Sequence, residues 1–436
     1  MIFPKILIIG QSFNKKSGGG VTLSNLFKGW PKDKLAVASN NNLHSDLDTS
    51  VCDTYYQLGY NNKLHPFPLN IILPQIKCGL IPVNNSTNEI TAEIEKVKSG
   101  KYKIMYQLLT RLLHFFGVHN IFYKLKITPE FAAWVKEYNP DIIYTQLASL
   151  ELIRFVDQLH EFSKKPVAIH IMDDWPLTIN KPGILYFYWQ NVIDKEFRQL
   201  MNKSSILMSI SEAMSDEYKV RYNKDFVPFH NPIDINYWKP GTAKDYAVND
   251  KFTILYAGRI GWGIESSIAD IANAVNEIAL TNSTIVFEIQ TGDIEVLNKV
   301  VKCNDNVKWV KPIAYSALPE KFAKVDLLLL PQDFDEKSVQ FLKYSFPTKV
   351  SEYMISGTPI LVYGDKRTGL TKYVLKNKWA YVVTENNKQI LIGAILDLYH
   401  NLPLRKELGQ KAQQIAIDRE DAVIVKENFR KCFIIK

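Results

Sequence analysis

Ser345-Phe346-Pro347-Thr348-Lys349-Val350-Ser351-Glu352-Tyr353-Met354-Ile355-Ser356-Gly357-Thr358-Pro359-Ile360-Leu361-Val362-Tyr363-Gly364 holds a helix, its stop and a strand in one stretch. Pro347 pre-sets the backbone ahead of a short helix, and Gly357 is placed to end it. Pro359 starts a strand whose residues are apolar on both faces, the pattern of a strand buried between two helical layers. Lys349 and Glu352 are three apart and share a helix face. Lys349 can approach a phosphate, and the Glu352 carboxylate can accept hydrogen bonds from two ribose hydroxyls. The plain alternative is an exposed ion pair of little energetic weight.

The same pattern extends in both directions. Strands are expected at 5–9, 35–39, 141–145, 167–172 and 205–209 in the first half. In the second half they are expected at 253–257, 284–289, 307–310, 326–330, 359–363 and 380–383. Helical patterns intervene at 264–280, 348–356 and 388–400, and strand–helix alternation argues for parallel sheets. A chain of 436 residues exceeds one ordinary core, so two domains are expected. The reading is an N-terminal domain over 1–235, a linker over 236–250 that contains Pro240 and Gly241, a C-terminal domain over 251–415 and a final helix over 416–436.

Composition sets the class. With 46% hydrophobic and 22% charged residues the chain is globular rather than disordered. Its four cysteines, Cys52, Cys78, Cys303 and Cys432, form neither a zinc nor a redox motif, and scattered thiols fit a reducing compartment. The apolar run at 6–9 is too short for a signal-peptide core, and no apolar stretch reaches bilayer length. A cytoplasmic protein is expected. The net charge of +8 suits a phosphorylated substrate, anionic lipid or nucleic acid, or is a solvated Lys-rich surface. The basic residues are dispersed and no recognition motif appears, which disfavours nucleic acid.

Several segments carry chemistry. The first expected strand leads through Gly10 to Gly18-Gly19-Gly20, with a helix opening near Val21. Glycines let a backbone approach a ligand, and a helix N-terminus offers free N–H groups, so Gly19 and Gly20 are candidate donor contacts. The pattern is not GxGxxG and gives no sign of a nicotinamide cofactor. Tyr256-Ala257-Gly258-Arg259 ends the first strand of the second domain, and Gly261 and Gly263 follow. Ligands of open α/β sheets bind at strand carboxyl ends, and a guanidinium there can hold a diphosphate. Gly258 and Arg259 therefore join Lys349 and Glu352.

His170-Ile171-Met172-Asp173-Asp174-Trp175-Pro176 closes a buried strand of the first domain. His170, Asp173 and Asp174 are candidates for the acceptor side, with a core histidine as the alternative for His170. The Asp46-Leu47-Asp48 and Asp333-Phe334-Asp335 triplets are short enough to arise by chance, and no metal is assigned. Residues 101–126 interleave Ile104, Leu108, Leu109, Leu112, Leu113, Phe115 and Phe116 with Lys101, Lys103, Arg111, Lys124 and Lys126. This is the pattern of a basic amphipathic segment lying on a membrane surface, or of a helix packed on its own domain.

Together, Tyr256-Ala257-Gly258-Arg259, the Pro347…Lys349…Glu352-Tyr353-Met354…Gly357…Pro359 block, Ser209-Ile210-Ser211-Glu212-Ala213-Met214 and Asn231-Pro232-Ile233-Asp234 resemble retaining glycosyltransferase family 4. The resemblance implies the GT-B fold, two Rossmann-like domains facing across a cleft, with the final helix packing back on the N-terminal domain. It implies a hexosyltransferase that takes a nucleotide sugar as substrate and needs no metal or other cofactor. Arg259 and Lys349 would stabilise the leaving diphosphate, and a donor phosphate oxygen would take the acceptor proton. The implied acceptor is a glycan or lipid-linked glycan in bacterial surface polysaccharide or glycoconjugate synthesis. The sequence departs from the family twice. Tyr344 stands where the first Glu of a Glu-x7-Glu signature would fall, and 260–264 lacks a lysine common there. A sugar-nucleotide epimerase of the same fold and a non-catalytic carbohydrate-binding protein are the alternatives.

Overall fold

The computed structural model describes all residues except 1–2, 15–16, 42, 44–46, 65–75, 83–99, 123, 179–182, 240–243, 249 and 435–436. The chain divides into two compact units: Met1–Phe229 with Lys426–Lys436, and His230–Val425.

Unit 1 contains one sheet among its described residues. Its strands are β1 (Ile6–Ile9), β2 (Leu35–Ser39), β3 (Tyr55–Gln57), β4 (Gly79–Ile81), β5 (Ile142–Thr145), β6 (Val167–Ile171), β7 (Ile206–Ser209) and β8 (Val227–Pro228), in the order β4-β3-β2-β1-β5-β6-β7-β8. All neighbours are parallel except β4 on β3. β1, β2, β5 and β6 are buried along their whole length, because helices cover both faces of such a sheet. The order reverses between β2 and β5 at β1, a topological switch point where ligands bind in such sheets. Helix α1 (Gly18–Phe27) follows β1 there, capped by Ser17, whose side chain accepts from Gly20 N. Helix α2 (Gly100–Phe115) lies between β4 and β5.

Among its described residues unit 2 holds six parallel strands: β9 (Phe252–Ala257), β10 (Ile285–Gln290), β11 (Val307–Val310), β12 (Leu327–Pro331), β13 (Ile360–Tyr363) and β14 (Tyr381–Val383). Their order is β11-β10-β9-β12-β13-β14, with the reversal at β9. Helix α3 (Glu265–Ala279) buries Ile268, Ile271, Val275 and Ile278 with Ile254 and Phe287. Burial of each such side chain contributes about 1.5–3 kcal/mol. No residue of α3 caps its own N-terminus. Asp333, just past β12, does so by accepting from Ser267 N at 2.8 Å. Helix α4 (Lys349–Ile355) precedes β13. Helix α5 (Ala422–Cys432) begins in unit 2, and from Lys426 its residues belong to unit 1. There Phe429 packs edge-on against Phe27 and Phe229.

All eleven expected strands form, with ends shifted by a residue or two. The expected linker is not a free spacer where it is described. Trp238 is buried and stacks on Phe322, Lys244 Nζ donates to Ala323 O and Val325 O, and Tyr246 donates to Gly357 O. The helix after β1 opens at Gly18, three residues before the expected start.

Candidate functional site

The switch point of unit 2 gathers the residues named from its sequence. β9 ends at Ala257, and Gly258 continues with φ +151°. Lys349, the first residue of α4, extends its ammonium to that strand end. Nζ donates to Ala257 O at 3.0 Å and to Tyr256 Oη at 3.2 Å. It also stands 4.2 Å from the centre of the Tyr256 ring, a cation–π arrangement. One helical turn on, Tyr353 Oη accepts from Ala257 N at 2.9 Å. Two side chains of α4 thus fasten the end of β9. Tyr256 Oη donates in turn to Arg259 O, and Ile260 N donates to Asp293 Oδ2 at 2.9 Å. These bonds fix the backbone on either side of Arg259, whose side chain is exposed.

Glu352 faces a different partner. Tyr315 Oη donates to Glu352 Oε1 at 3.1 Å, and Tyr315 stacks on Tyr237 with rings 17° apart. Lys349 and Glu352 therefore do not form the surface ion pair that was the plain alternative; each is engaged elsewhere. Burial pushes the Glu352 carboxyl up to about 7, with the Tyr315 hydroxyl and the Lys349 charge opposing the rise. Burial also pulls Lys349 down to about 8. Both groups change charge close to neutrality, as at sites where charge does chemical work. The carboxylate keeps one oxygen beyond the Tyr315 bond, and the ammonium keeps donor capacity beyond its two bonds.

The candidates of unit 1 are placed differently. His170 is fully buried. Its Nε2 lies 3.0 Å from Phe229 O and its Nδ1 2.7 Å from Tyr144 Oη. A carbonyl can only accept, so Nε2 carries the proton and Tyr144 donates to Nδ1. Burial holds the imidazole near 4, hence neutral at physiological pH. Asp174 is also buried. It accepts from Tyr218 Oη at 2.9 Å and from both Arg221 amino groups at 2.8 and 3.0 Å. Expected on the acceptor side, His170 and Asp174 are instead bound to core partners, because polar groups at a buried strand end must be satisfied there. Asp173 is exposed, although the protein packed about it still pushes its carboxyl upward.

In the first turn of α1 a Cβ on Gly20 would lie 2.0 Å from Asn14 Nδ2, and a Cβ on Gly19 would lie 3.1 Å from Gln146 Oε1. These glycines admit polar side chains against the first helical turn. Asp46 lies outside the described residues, and Asp333 and Asp335 serve as helix caps. Among the described residues, no group of three His, Cys, Asp or Glu is arranged to hold a metal ion.

Sequence reasoning did not single out Tyr315 or Tyr256. Tyr315 opens a short 3-10 helix, Tyr315–Ala317, after β11, and no local pattern ties it to Glu352, 37 positions on. Tyr256 has a visible signal, an aromatic residue just before the Gly–Arg pair, but a buried tyrosine in a strand reads first as core.

Residues 293–415 match the family model for Glycosyl transferases group 1. That span includes Lys349 and Glu352 and begins after Gly258 and Arg259. No curated protein matches the chain in sequence. Among solved structures, HepE of Anabaena in complex with UDP and glucose is similar with a TM-score of 0.59 at 13% identity, covering 98% of each chain. Sucrose-phosphate synthase of Thermosynechococcus elongatus is similar with a TM-score of 0.59 at 12% identity, again over 98% of each chain. A glycosyltransferase of Rickettsia africae gives 0.57 at 12% identity, over 98% of this chain and 97% of that one. These likenesses show the fold: two Rossmann-like parallel-sheet units, as in GT-B glycosyltransferases.

Proposed function

We propose that the chain is a glycosyltransferase that moves a hexosyl group, with retention, from a nucleoside diphosphate sugar to a glycan or lipid-linked glycan. The observation that carries this reading is the gathering of Gly258, Arg259 and Lys349 at the carboxyl end of β9, the switch point of unit 2, with Glu352 three residues beyond Lys349 on α4. The match to Glycosyl transferases group 1 over the stretch that holds Lys349 and Glu352 supports it.

In this reading Arg259 and Lys349 hold the diphosphate, and Glu352 accepts from the ribose hydroxyls while Tyr315 orients its carboxylate. The bond from the anomeric carbon to the phosphate oxygen breaks with its electron pair left on the phosphate. Arg259 and Lys349 stabilise that charge as it develops. The acceptor oxygen bonds to the anomeric carbon on the same face, and its proton passes to a donor phosphate oxygen. The protein then needs positioning and charge rather than a nucleophile–base pair or a metal. Exposed Asp173 and the start of α1 at Gly19 and Gly20 are the unit 1 residues proposed to meet the saccharides. His170 and Asp174 act as supports behind them. The product belongs to bacterial surface polysaccharide or glycoconjugate synthesis.

The test is a thermal-stabilisation screen of nucleoside diphosphates and their sugars, followed by turnover with the best binder. HepE of Anabaena was solved with UDP-glucose, so uridine nucleotides head the panel. A folded Arg259→Ala protein should lose most turnover. Absence of any nucleotide effect, or epimerised donor formed without acceptor, would overturn the reading.

A membrane-surface location accompanies it. No helix among the described residues is long and apolar enough to cross a bilayer. Leu108, Leu112 and Phe115 of α2, with Phe116, are nonetheless exposed. Arg111, Lys124 and Lys126 are exposed in the same stretch. The side chains of Lys101, Lys103 and Ile104 lie outside the described residues. Ile184 N donates to Phe115 O at 3.2 Å, which brings exposed Ile184 and Phe187 to the same region. A lipid-linked acceptor would be met there, on the cytoplasmic face of a membrane.

A further inference from the structure

The loop that carries Arg259 also carries an exposed tryptophan. Trp262 lies between Gly261 and Gly263 and keeps 59% of its surface in water. An exposed indole is unremarkable by itself. This one is not alone: its ring is 4.6 Å, centre to centre, from that of Phe341, with the planes 33° apart. Phe341 comes from the helix Glu336–Leu342, so two separate elements build one aromatic surface.

The loop is held as a rigid mount. Ile260 N donates to Asp293 Oδ2 at 2.9 Å, Ile264 N donates to Gly261 O at 3.2 Å, and Asp333 N donates to Gly263 O at 2.7 Å. Gly263 takes φ +92°, a conformation that favours glycine, and its backbone packs beside Leu342. Bonds on both sides of Trp262 hold the backbone that carries the indole. An exposed indole backed by a half-buried phenyl ring, three residues from the arginine proposed to hold the diphosphate, has a position suited to what is attached to a diphosphate.

We propose that Trp262, backed by Phe341, is a stacking platform for a pyranose ring, a saccharide subsite beside the donor phosphates. A pyranose presents hydroxyls at its rim and C–H groups on its faces. The negative face of an aromatic ring attracts those C–H groups, and stacking removes apolar surface from water on both sides. Phe341 covers part of the indole and leaves the remainder for the sugar. The proposal rests on the transferase reading, and it assigns a sugar contact where 260–264 offers no lysine. The ring served is either the transferred sugar or a sugar of the acceptor.

Trp262→Ala, Trp262→Phe and Phe341→Ala test this, with circular dichroism and melting temperature confirming the fold. The probes are the nucleoside diphosphate and the nucleoside diphosphate hexose that most stabilise the wild type, and an oligosaccharide acceptor. All three variants should bind the bare diphosphate within twofold of wild type. If the ring is the donor's, Trp262→Ala should lose tenfold or more in affinity for the nucleotide hexose. If it is the acceptor's, the acceptor KM should rise tenfold or more at unchanged donor affinity. Trp262→Phe should recover most of either loss. Equal weakening of the bare diphosphate and its hexose would show that the indole only shapes the phosphate loop, and would overturn the platform. Unchanged donor affinity together with unchanged acceptor KM in Trp262→Ala would overturn it as well. A wild type that binds no nucleotide at all overturns the transferase reading instead.

Discussion

The Lys349 ammonium stands where a side chain at Gly258 would begin: a Cβ built on Gly258 would lie 2.1 Å from Lys349 Nζ. The space beside the glycine that precedes the arginine is therefore taken by a lysine 91 positions further along. Gly258 also takes φ +151°, which side chains rarely adopt. Gly258→Ala should push the ammonium off Ala257 O. Affinity for a nucleoside diphosphate should fall at least tenfold, as it should in Lys349→Ala. Since both changes remove one arrangement, the double variant should be no worse than the weaker single. Calorimetry on the three proteins checks this, and fully additive losses would mean that Gly258 acts independently of Lys349.

Glu352 and Lys349 set an expected pH profile. Burial pushes Glu352 up to about 7 and pulls Lys349 down to about 8. Donor binding uses the ionised carboxylate and the charged ammonium. The kcat/KM of the free enzyme should therefore rise as pH passes about 7 and fall beyond about 8. Glu352→Gln should remove the acid limb and weaken nucleotide binding about tenfold, the scale of a lost charge-assisted hydrogen bond. Stability should move the other way. A carboxyl with a raised folded-state pKa is protonated more readily in the folded chain, so its ionisation erodes stability as pH climbs from its ordinary 4.5 to about 7. Above pH 7 Glu352→Gln should melt higher than wild type. A lower melting point with unchanged affinity would make Glu352 structural.

What the sequence made legible follows from how local each signal is. β12, Leu327–Pro331, is four leucines and a proline, buried throughout, and two-sided burial shows as an unbroken apolar run. β3, β4 and β8 are not among the expected strands, since two or three residues are too few to carry such a run. Gly258, Arg259, Lys349 and Glu352 stand out in the sequence because a strand end and a helix start are short-range patterns. The partners of Asp174 have no such local signal, since its environment is set by Arg221 and Tyr218, more than forty positions away. Tyr315 was missed for the same reason. Sequence spacing shows which side chains reach a strand end, while partners brought by other elements decide whether they remain available to a ligand.

The exposed face of α2 should bind anionic vesicles. This helix has no acidic residue, and Leu108, Leu112 and Phe115 stand out in water. Vesicles with about a third anionic lipid should pull the protein down in sedimentation at low salt. Binding should weaken several-fold near physiological ionic strength, where the screening length is about 8 Å. Leu112→Glu with Phe115→Glu should abolish sedimentation at unchanged nucleotide affinity. Equal binding to neutral vesicles, or none to either, would count against a membrane face.

Asp173 and Asp174 are adjacent in sequence and should separate cleanly in experiment. Asp174 is buried, bridged by both amino groups of Arg221 and bonded by Tyr218. Arg221 also holds Glu217 and lies over the Tyr218 ring. Asp174→Asn removes the charge that balances a largely buried guanidinium. Breaking such a pair costs about 3 kcal/mol, which for a unit of this size is a fall of roughly 6–12 °C in melting temperature. Turnover per folded molecule should hardly change. Asp173 is exposed at the end of the same buried strand, so Asp173→Asn should leave the melting point within about 2 °C, as surface substitutions do. Its effect should fall on turnover, at least tenfold, with nucleotide affinity unchanged. Melting temperature, nucleotide affinity and turnover measured on the same two proteins decide between the roles. Should Asp173→Asn turn over normally while Asp174→Asn only melts early, neither carboxylate meets the acceptor. The acceptor contacts of unit 1 would then fall to the backbone and side chains around Gly19 and Gly20.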